Sequence, residues 1–223
     1  MTWILLILGL IALAVYIPEK VRGRSVKAVL MKSVVSVLFI AVAVSARSPE
    51  KLAAFVIMGL VFGLMGDIWL DLKYVFPEHE KAFTYSGFAV FGIGHVLYVS
   101  GLILQYGAGV FLLASFGLAV IAAALVVLLE KPLKLSYGKM KPTVAVYGFL
   151  LFSTVFVSGG LLLKYGGTAL WFVFLGSVFF AISDLILSGT YFGEGKDRPI
   201  DLISNYVFYY AGQFLIALAL TFI

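Results

Sequence analysis

The 223-residue chain is 63% hydrophobic and only 12% charged, with a mean hydropathy of +1.12. Soluble domains are about half apolar and about a quarter charged, so the composition excludes an ordinary soluble domain. The lack of cysteine excludes disulfides, thiolate zinc sites, iron–sulfur clusters and a cysteine nucleophile. The net charge of +5 does not indicate nucleic-acid binding, because the basic residues cluster between apolar runs. The expected partner is the lipid bilayer.

Eight apolar runs are long enough to cross a bilayer as helices, which requires roughly 20 residues each. In chain order the predicted spans are 2–17, 26–44, 51–72, 86–105, 108–129, 142–164, 168–190 and 201–223. The first run lacks the charged segment before it and the small-residue cleavage site after it that mark a signal peptide, so we expect a retained helix. The predicted fold class is an all-α polytopic membrane protein with a single transmembrane domain over residues 1–223.

The loops after spans one, three, five and seven carry 12 of the 16 Lys and Arg residues, and the opposite loops carry three. Basic residues favour the cytoplasmic side, so both termini are expected outside the cytoplasm. Short loops and the lack of cysteine favour a bacterial plasma membrane. The 12 basic residues are Lys20, Arg22, Arg24, Lys27, Lys73, Lys81, Lys131, Lys134, Lys139, Lys141, Lys196 and Arg198.

The chain resembles itself at an offset close to 117 residues. Residues 59–70 (GLVFGLMGDIWL) align with residues 176–187 (GSVFFAISDLIL), which places Asp67 over Asp184. Residues 94–97 likewise align with 212–215, and residues 32–37 with 141–146. Four spans per half predict two parallel repeats, 1–107 and 108–223, related by an axis along the membrane normal. Chance similarity between apolar helices is the alternative.

Asp67 and Asp184 lie inside predicted spans, where an aspartate costs about 2.5 to 3.5 kcal/mol on insertion scales. Each lies five or six residues before the predicted cytoplasmic end of its span, in helices that the repeat makes equivalent. We therefore expect the two carboxyl groups to face each other across a shared pocket. The alternative is that they form buried structural links, for example with Lys32.

Lys32 reaches a similar depth from the cytoplasmic side. Its ammonium can reach the interface along its flexible stem, pair with Asp67 or hold an anionic headgroup. Four other polar residues are expected in a solvated cytoplasmic loop without a site role. They are Asp71, Glu78, His79 and Glu80.

Several spans also carry polar faces. His95 and Tyr98 share one face of span four, and Tyr209 and Gln213 share one face of span eight. Tyr147 in span six adds a hydroxyl. Each of these side chains can also serve only packing or the aromatic belt. Small residues of span three are better explained by close helix packing than by a ligand site. They are Gly59, Gly63 and Gly66.

Four short segments follow one another along the spans: MGDIWL at 65–70, FGIGHVLY at 91–98, FAISDLIL at 180–187 and YYAGQ at 209–213. Together they resemble the YhhN-like family of lysoplasmalogenases over nearly the whole chain. The chain departs from the family where members commonly have Lys-Pro in span two, because Lys32 is followed by Ser33. The second repeat keeps the pair as Lys141 and Pro142.

The resemblance implies hydrolysis of the vinyl ether bond of lysoplasmalogens, which releases a fatty aldehyde and a glycerophospho-base. One protonated carboxyl would protonate the double bond, and one carboxylate would stabilise the cation and activate water. Asp67 and Asp184 suit these roles in either order. The lysolipid tail would lie in an apolar slot between helices, and Lys32 or Lys141 would meet the phosphate. The residues expected to order water and glycerol are His95, Tyr98, Tyr147, Tyr209 and Gln213. No cofactor or metal is expected.

Two other functions fit the paired aspartates. A small proton-coupled transporter or lipid carrier would use them as a proton relay, and would need access from both sides of the membrane. A structural or regulatory protein would engage both aspartates in packing contacts with no cavity beside them.

Overall fold

The computed structural model describes residues 1–23, 25–193 and 198–223. These ranges contain eight α-helices, each long and apolar enough to span a membrane. The predicted all-α polytopic membrane fold is therefore confirmed. Arg24 and Lys196, two of the basic residues that predict the orientation, lie outside the described residues. The helices are α1 (Thr2–Arg22), α2 (Val26–Ser45), α3 (Lys51–Val75), α4 (Glu80–Tyr106), α5 (Phe111–Leu128), α6 (Lys141–Tyr165), α7 (Thr168–Phe192) and α8 (Pro199–Ala219).

Several helices are longer than their apolar runs. α1 continues through Pro18 to Arg22, and α3 continues to Val75. The apolar runs end at Pro18 and Lys73, whereas the backbone stays helical because its polar groups still need partners at the membrane edge. As a result Lys20 and Lys73, expected in loops, belong to helices and are buried.

The helices pack mainly with their neighbours in the chain, and α8 connects the two ends of the sequence. α8 contacts α7, and it also contacts α1, α2 and α3. α5 packs against α6, and its outward side chains Leu113, Val120 and Ile121 are exposed. In a membrane these side chains face hydrocarbon.

Glycines set the distance between helices in two pairs. A methyl group on Gly212 of α8 would lie 2.7 Å from the Gly176 carbonyl oxygen of α7. One on Gly94 of α4 would lie 3.2 Å from the Gly59 carbonyl oxygen of α3. The offset alignment matches Gly59 with Gly176 and Gly94 with Gly212, so the two helix pairs approach each other at equivalent positions. This supports the proposed duplication, which itself stays a prediction.

Glycines of α3 also make room for side chains of other helices. A methyl group on Gly59 would lie 2.3 Å from the Tyr98 ring, and one on Gly63 would lie 2.7 Å from the Gln213 amide nitrogen. The prediction that these glycines serve close helix packing is confirmed.

The segment between α5 and α6 folds back onto the end of α7. The Ser136 amide donates to the Phe192 carbonyl oxygen at 2.8 Å. Glu130 holds the segment together, because one carboxylate oxygen accepts from the Tyr137 amide at 2.7 Å and the other lies 2.5 Å from the Lys141 ammonium. The hydrogen bond from Lys141, followed by that from Tyr137, holds the pKa of Glu130 below its ordinary value of 4.5.

We expect Glu130→Gln to lower the melting temperature at pH 7, and the difference from wild type to disappear in acid. The folded carboxyl has the lower pKa, so its contribution is complete above pH 4.5 and is lost as the pH falls through the folded value. Melting curves in detergent from pH 7 to below 4.5 measure this. Glu78→Gln, at an exposed glutamate, is the control. An equal difference at all pH values would contradict the expectation.

We also expect Gly212→Ala to destabilise the protein by about 1 to 3 kcal/mol, because the new methyl group meets backbone atoms of α7 that cannot rotate away. Gly117→Ala is the matched control, since a methyl group there meets no atom within 4 Å and alanine favours the helix by up to about 1 kcal/mol. Unfolding in detergent compares the two. Equal stability of both variants would exclude the close α7–α8 contact.

Candidate functional site

A cavity with about 880 Å³ of free space, counted to its open mouth, lies inside the bundle. Asp67 of α3 and Asp184 of α7 both line it, as do residues of α2, α4, α5, α6 and α8. The two aspartates that the sequence singles out therefore share one cavity.

Both aspartates lie at the same depth. Asp67 is eight residues before Val75, the last residue of α3, and Asp184 is eight residues before Phe192, the last residue of α7. A helix rises 1.5 Å per residue, so both lie about 12 Å from the helix ends. This is slightly deeper than the predicted five or six residues. We call the end of the bundle where α1, α3, α5 and α7 finish the basic end.

The cavity is confined to the half of the bundle that includes the basic end. Its lining residues belong to the last turns of α3 and α7 and to the first halves of α4, α6 and α8, with Lys32 from α2 and Val126 from α5. The other half contains tightly buried apolar side chains, among them Leu60, Leu102, Leu161 and Leu170. Among the described residues the cavity therefore does not continue across the membrane.

Asp67 is buried and surrounded by donors. Its carboxylate oxygens lie 3.1 Å from the Lys32 ammonium, and accept hydrogen bonds from Ser36 at 2.6 Å and from Tyr209 at 2.8 Å. An ionised carboxylate only accepts hydrogen bonds, and a nearby cation strengthens them. The surroundings of Asp67 therefore match the ionised form.

Asp184 has different surroundings. It is partly exposed within the cavity wall, and the Tyr147 hydroxyl donates a hydrogen bond to it. Within residues 1–23, 25–193 and 198–223, no Lys or Arg forms an ion pair with this carboxyl group. Asp67 and Asp184 therefore line one cavity, but only Asp67 has a cation beside it.

The expectation that Asp71 lies in a solvated loop is wrong. It belongs to α3, is only 2% exposed and lines the cavity. Its carboxylate lies 2.8 Å from the Lys20 ammonium and 3.5 Å from the Lys32 ammonium. The signal for it was its position four residues after Asp67, on the same face of the helix. Glu78, His79 and Glu80 are exposed, as expected.

Lys20, Asp71, Lys32 and Asp67 therefore form a buried ionic chain in which the charges alternate in sign. Of the three roles considered for Lys32, the structure shows pairing with Asp67. Two residues near Asp67 and Asp71, Lys20 and Ser36, had no clear signal in the sequence. Lys20 follows Pro18, where the apolar run ends, and Ser36 is a single hydroxyl in an apolar helix, one turn after Lys32.

Tyr209 connects Asp67 to a second chain of polar groups. The Gln213 amide donates to the Tyr209 oxygen at 3.1 Å, so the Tyr209 proton is directed to Asp67. Tyr98 in turn donates to the Gln213 carbonyl oxygen at 3.2 Å. Tyr98 and Gln213 thus orient the Tyr209 hydroxyl through these hydrogen bonds, although neither residue lines the cavity.

Of the site residues that the sequence predicts in the spans, some line the cavity and some do not. Five of them line the cavity: Lys32, Asp67, Tyr147, Asp184 and Tyr209. Three do not line it and lie deeper in the bundle: His95, Tyr98 and Gln213.

Two side chains with expected substrate contacts are engaged elsewhere. His95 is buried, with Nδ1 3.0 Å from the Thr154 hydroxyl. Lys141, expected at the phosphate, pairs with Glu130 outside the cavity. Within the described ranges no three Asp, Glu or His side chains converge as metal ligands.

Comparison with known protein families gives a match over most of the chain. The model of the YhhN family matches residues 27–220 of the chain. Neither the curated proteins nor the solved structures gave a match. The matched range includes every cavity-lining residue named above and leaves out all of α1, which contributes Lys20.

We expect Asp71→Leu to destabilise the protein by about 3 kcal/mol or more, because the buried ammonium groups of Lys20 and Lys32 would each lose this carboxylate. The double variant Lys20→Met with Asp71→Leu should lose less than the sum of the two single variants, since both single variants remove the same Lys20–Asp71 pair. Unfolding of the two single variants and the double variant in detergent gives the coupling energy.

Lys27→Met provides the control, because Lys27 is exposed and its partner Glu19 only partly buried, and surface pairs contribute about 1 kcal/mol at most. Additive effects of Lys20→Met and Asp71→Leu would exclude the buried ionic chain as a stabilising unit.

Proposed function

The chain belongs to the YhhN family, and we propose that it hydrolyses the vinyl ether bond of lysoplasmalogens. The products would be a fatty aldehyde and a glycerophospho-base such as glycerophosphocholine or glycerophosphoethanolamine. The observation that carries the proposal is one cavity in which Asp67 has a lysine beside its carboxyl group and Asp184 has only a hydroxyl partner. The third carboxyl group of the cavity, Asp71, is paired with Lys20 and Lys32. Such a difference is what acid/base catalysis by two carboxyl groups requires.

The surroundings suggest which aspartate is the acid. Asp184 has a hydroxyl partner and no ion-pair partner among the described residues, and a carboxyl group in a largely apolar cavity without a cation is more stable when neutral. We assign it as the proton donor. Asp67, beside Lys32 and two hydroxyl donors, is assigned as the carboxylate.

The reaction follows from these states. Asp184 gives its proton to the vinyl carbon remote from oxygen, and the resulting oxocarbenium ion faces the carboxylate of Asp67. Water adds to the cation and gives a proton to Asp67. The product of this addition is a hemiacetal. When the hemiacetal breaks down, its hydroxyl proton returns to Asp184 and Asp67 gives its proton to the leaving glycerol oxygen. One water is consumed and both aspartates recover their starting states.

The shape of the cavity favours a hydrolase over a transporter. A transporter needs its site to open to both sides of the membrane, whereas the cavity lies in one half of the bundle and tightly buried side chains, Leu60 and Leu161 among them, occupy the other. A purely structural protein would leave no cavity beside the aspartates. The distribution of basic residues leads us to place the cavity in the cytoplasmic leaflet of a bacterial plasma membrane, with both termini outside.

We expect Asp184→Asn to lower kcat for a lysoplasmenylcholine by about 100-fold or more, because the amide cannot supply the proton. Asparagine still accepts the hydrogen bond from Tyr147, so the fold should survive, as a melting curve can verify. Release of aldehyde, identified by mass, measures the activity. Glu78→Gln is the exposed control and should match wild type.

Product release from lysoalkyl and lysoacyl lipids tests which type of bond the protein cleaves. The wild type should release no product from the alkyl ether, because that bond has no double bond to protonate. Wild-type turnover by Asp184→Asn would contradict the mechanism. Absence of turnover of every lysolipid, with uptake of lipid in proteoliposomes, would show a transporter instead.

A further inference from the structure

A groove lies on the outer face of the bundle between α4 and α6, with about 1030 Å³ of free space counted to its open side. Its walls include Ile93, Val96 and Val146, whose side chains are 44%, 46% and 62% exposed. In a membrane-spanning bundle these exposed apolar side chains face the hydrocarbon of the lipids. We call this the tail groove.

The tail groove and the cavity share two walls. Phe88 and Tyr147 line both, and their rings meet edge to face with centroids 5.0 Å apart. The Tyr147 hydroxyl is the group that donates to Asp184. A single layer of two side chains therefore separates the lipid-facing groove from the proposed acid.

The lining of the groove suits a hydrocarbon chain. No Lys, Arg, Asp or Glu is among its lining residues within the described ranges, and its polar groups are limited to Tyr85, Thr143 and Tyr147. On α4 it extends from Tyr85 to Val96, which is about 16 Å at 1.5 Å per residue. Half of the roughly 30 Å hydrocarbon core is about 15 Å, so the groove matches the depth of one leaflet.

Gly92 provides part of the space. A methyl group on Gly92 would lie 3.2 Å from the Leu150 side chain and 4.0 Å from the Tyr147 ring. A larger side chain at this position would fill the groove beside the shared wall. The groove therefore depends on a glycine whose backbone makes no tight helix contact like that of Gly212.

We propose that the tail groove binds the hydrocarbon tail of the lysolipid substrate, and that Phe88 and Tyr147 form the portal through which the reacting bond reaches the cavity. The proposal rests on the proposed function for the nature of the bond. In a vinyl ether lipid the tail is attached directly to the double bond, so it must leave the cavity next to the reacting carbon. The tail groove is an apolar space that meets the cavity wall at Tyr147, the partner of Asp184.

Gly92→Phe tests the groove by filling it. We expect the ratio of kcat/KM for a long-chain lysoplasmenylcholine to that for a short-chain, water-soluble analogue to fall about tenfold or more. Gly117→Phe is the matched control, because Gly117 lies on exposed α5 with no atom near its Cβ position. Its ratio should equal that of wild type. Gly92→Leu, with a smaller and more flexible side chain, serves if the phenylalanine variant does not fold.

Photocrosslinking tests binding without catalysis. Asp184→Asn is irradiated with a lysolipid that carries a photoreactive group in its tail, and the labelled peptides are identified by mass. We expect saturable labelling of residues 85–96 and 142–150, and its loss in Gly92→Phe. Even labelling of all lipid-facing helices would contradict the proposal that the tail groove binds the lipid tail. An unchanged ratio of kcat/KM for long-chain and short-chain substrates in Gly92→Phe would contradict it as well. Saturable labelling without turnover of any lysolipid by the wild type would keep the groove and overturn the proposed reaction.

Discussion

The buried ionic chain of Lys20, Asp71, Lys32 and Asp67 is the constraint on which the arrangement of the first three helices depends. Its four charges sum to zero, and each cation lies between or beside carboxylates at 2.8 to 3.5 Å. A single charge left without a partner in this environment costs several kcal/mol. Because α1, α2 and α3 each contribute members, a shift of any one helix along its axis would break at least one pair. The chain thereby fixes the register of these helices and the position of Asp67 beside the cavity.

α8 connects this charged region to the rest of the bundle. Its Tyr209 donates to Asp67, and its Tyr210 hydroxyl lies 3.3 Å from the Ser36 hydroxyl of α2. Gln213 can lie over α3 because Gly63 has no side chain there. Close packing and hydrogen bonding thus depend on each other, since the small residues of α3 let polar side chains of α8 reach the aspartate. The same helix lies against α7 at Gly176 and Gly212, so both aspartate-bearing helices are positioned by α8.

The sequence predicts the spans and the two membrane aspartates well because the bilayer imposes length and apolarity on each helix, which makes a buried acid conspicuous. It does not predict the burial of Asp71, because this residue lies one position before the end of the predicted span 51–72, where contact with solvent is expected, whereas α3 continues to Val75. Helical spacing shows that Tyr98 and Gln213 belong to polar faces, but the rotation of a helix follows from its neighbours. The Tyr98 ring packs against Gly59, where there is no side chain, and Tyr98 therefore does not line the cavity. Which polar side chains meet the cavity is therefore a tertiary property.

The difference between the two aspartates follows from a loss of symmetry between the proposed repeats. The alignment matches Lys32 with Lys141 and, at the offset of 117, Asp71 with Ser188. Lys32 pairs with Asp67, whereas Lys141 lies at the first residue of α6 and pairs with Glu130 of the preceding loop. Ser188 meets the Tyr137 hydroxyl at 3.2 Å and adds no charge. The second repeat thus keeps the aspartate and places its lysine elsewhere. If the proposed duplication and reaction are correct, this change fixes which aspartate is the acid and which is the carboxylate, because in equal surroundings either of them could hold the proton.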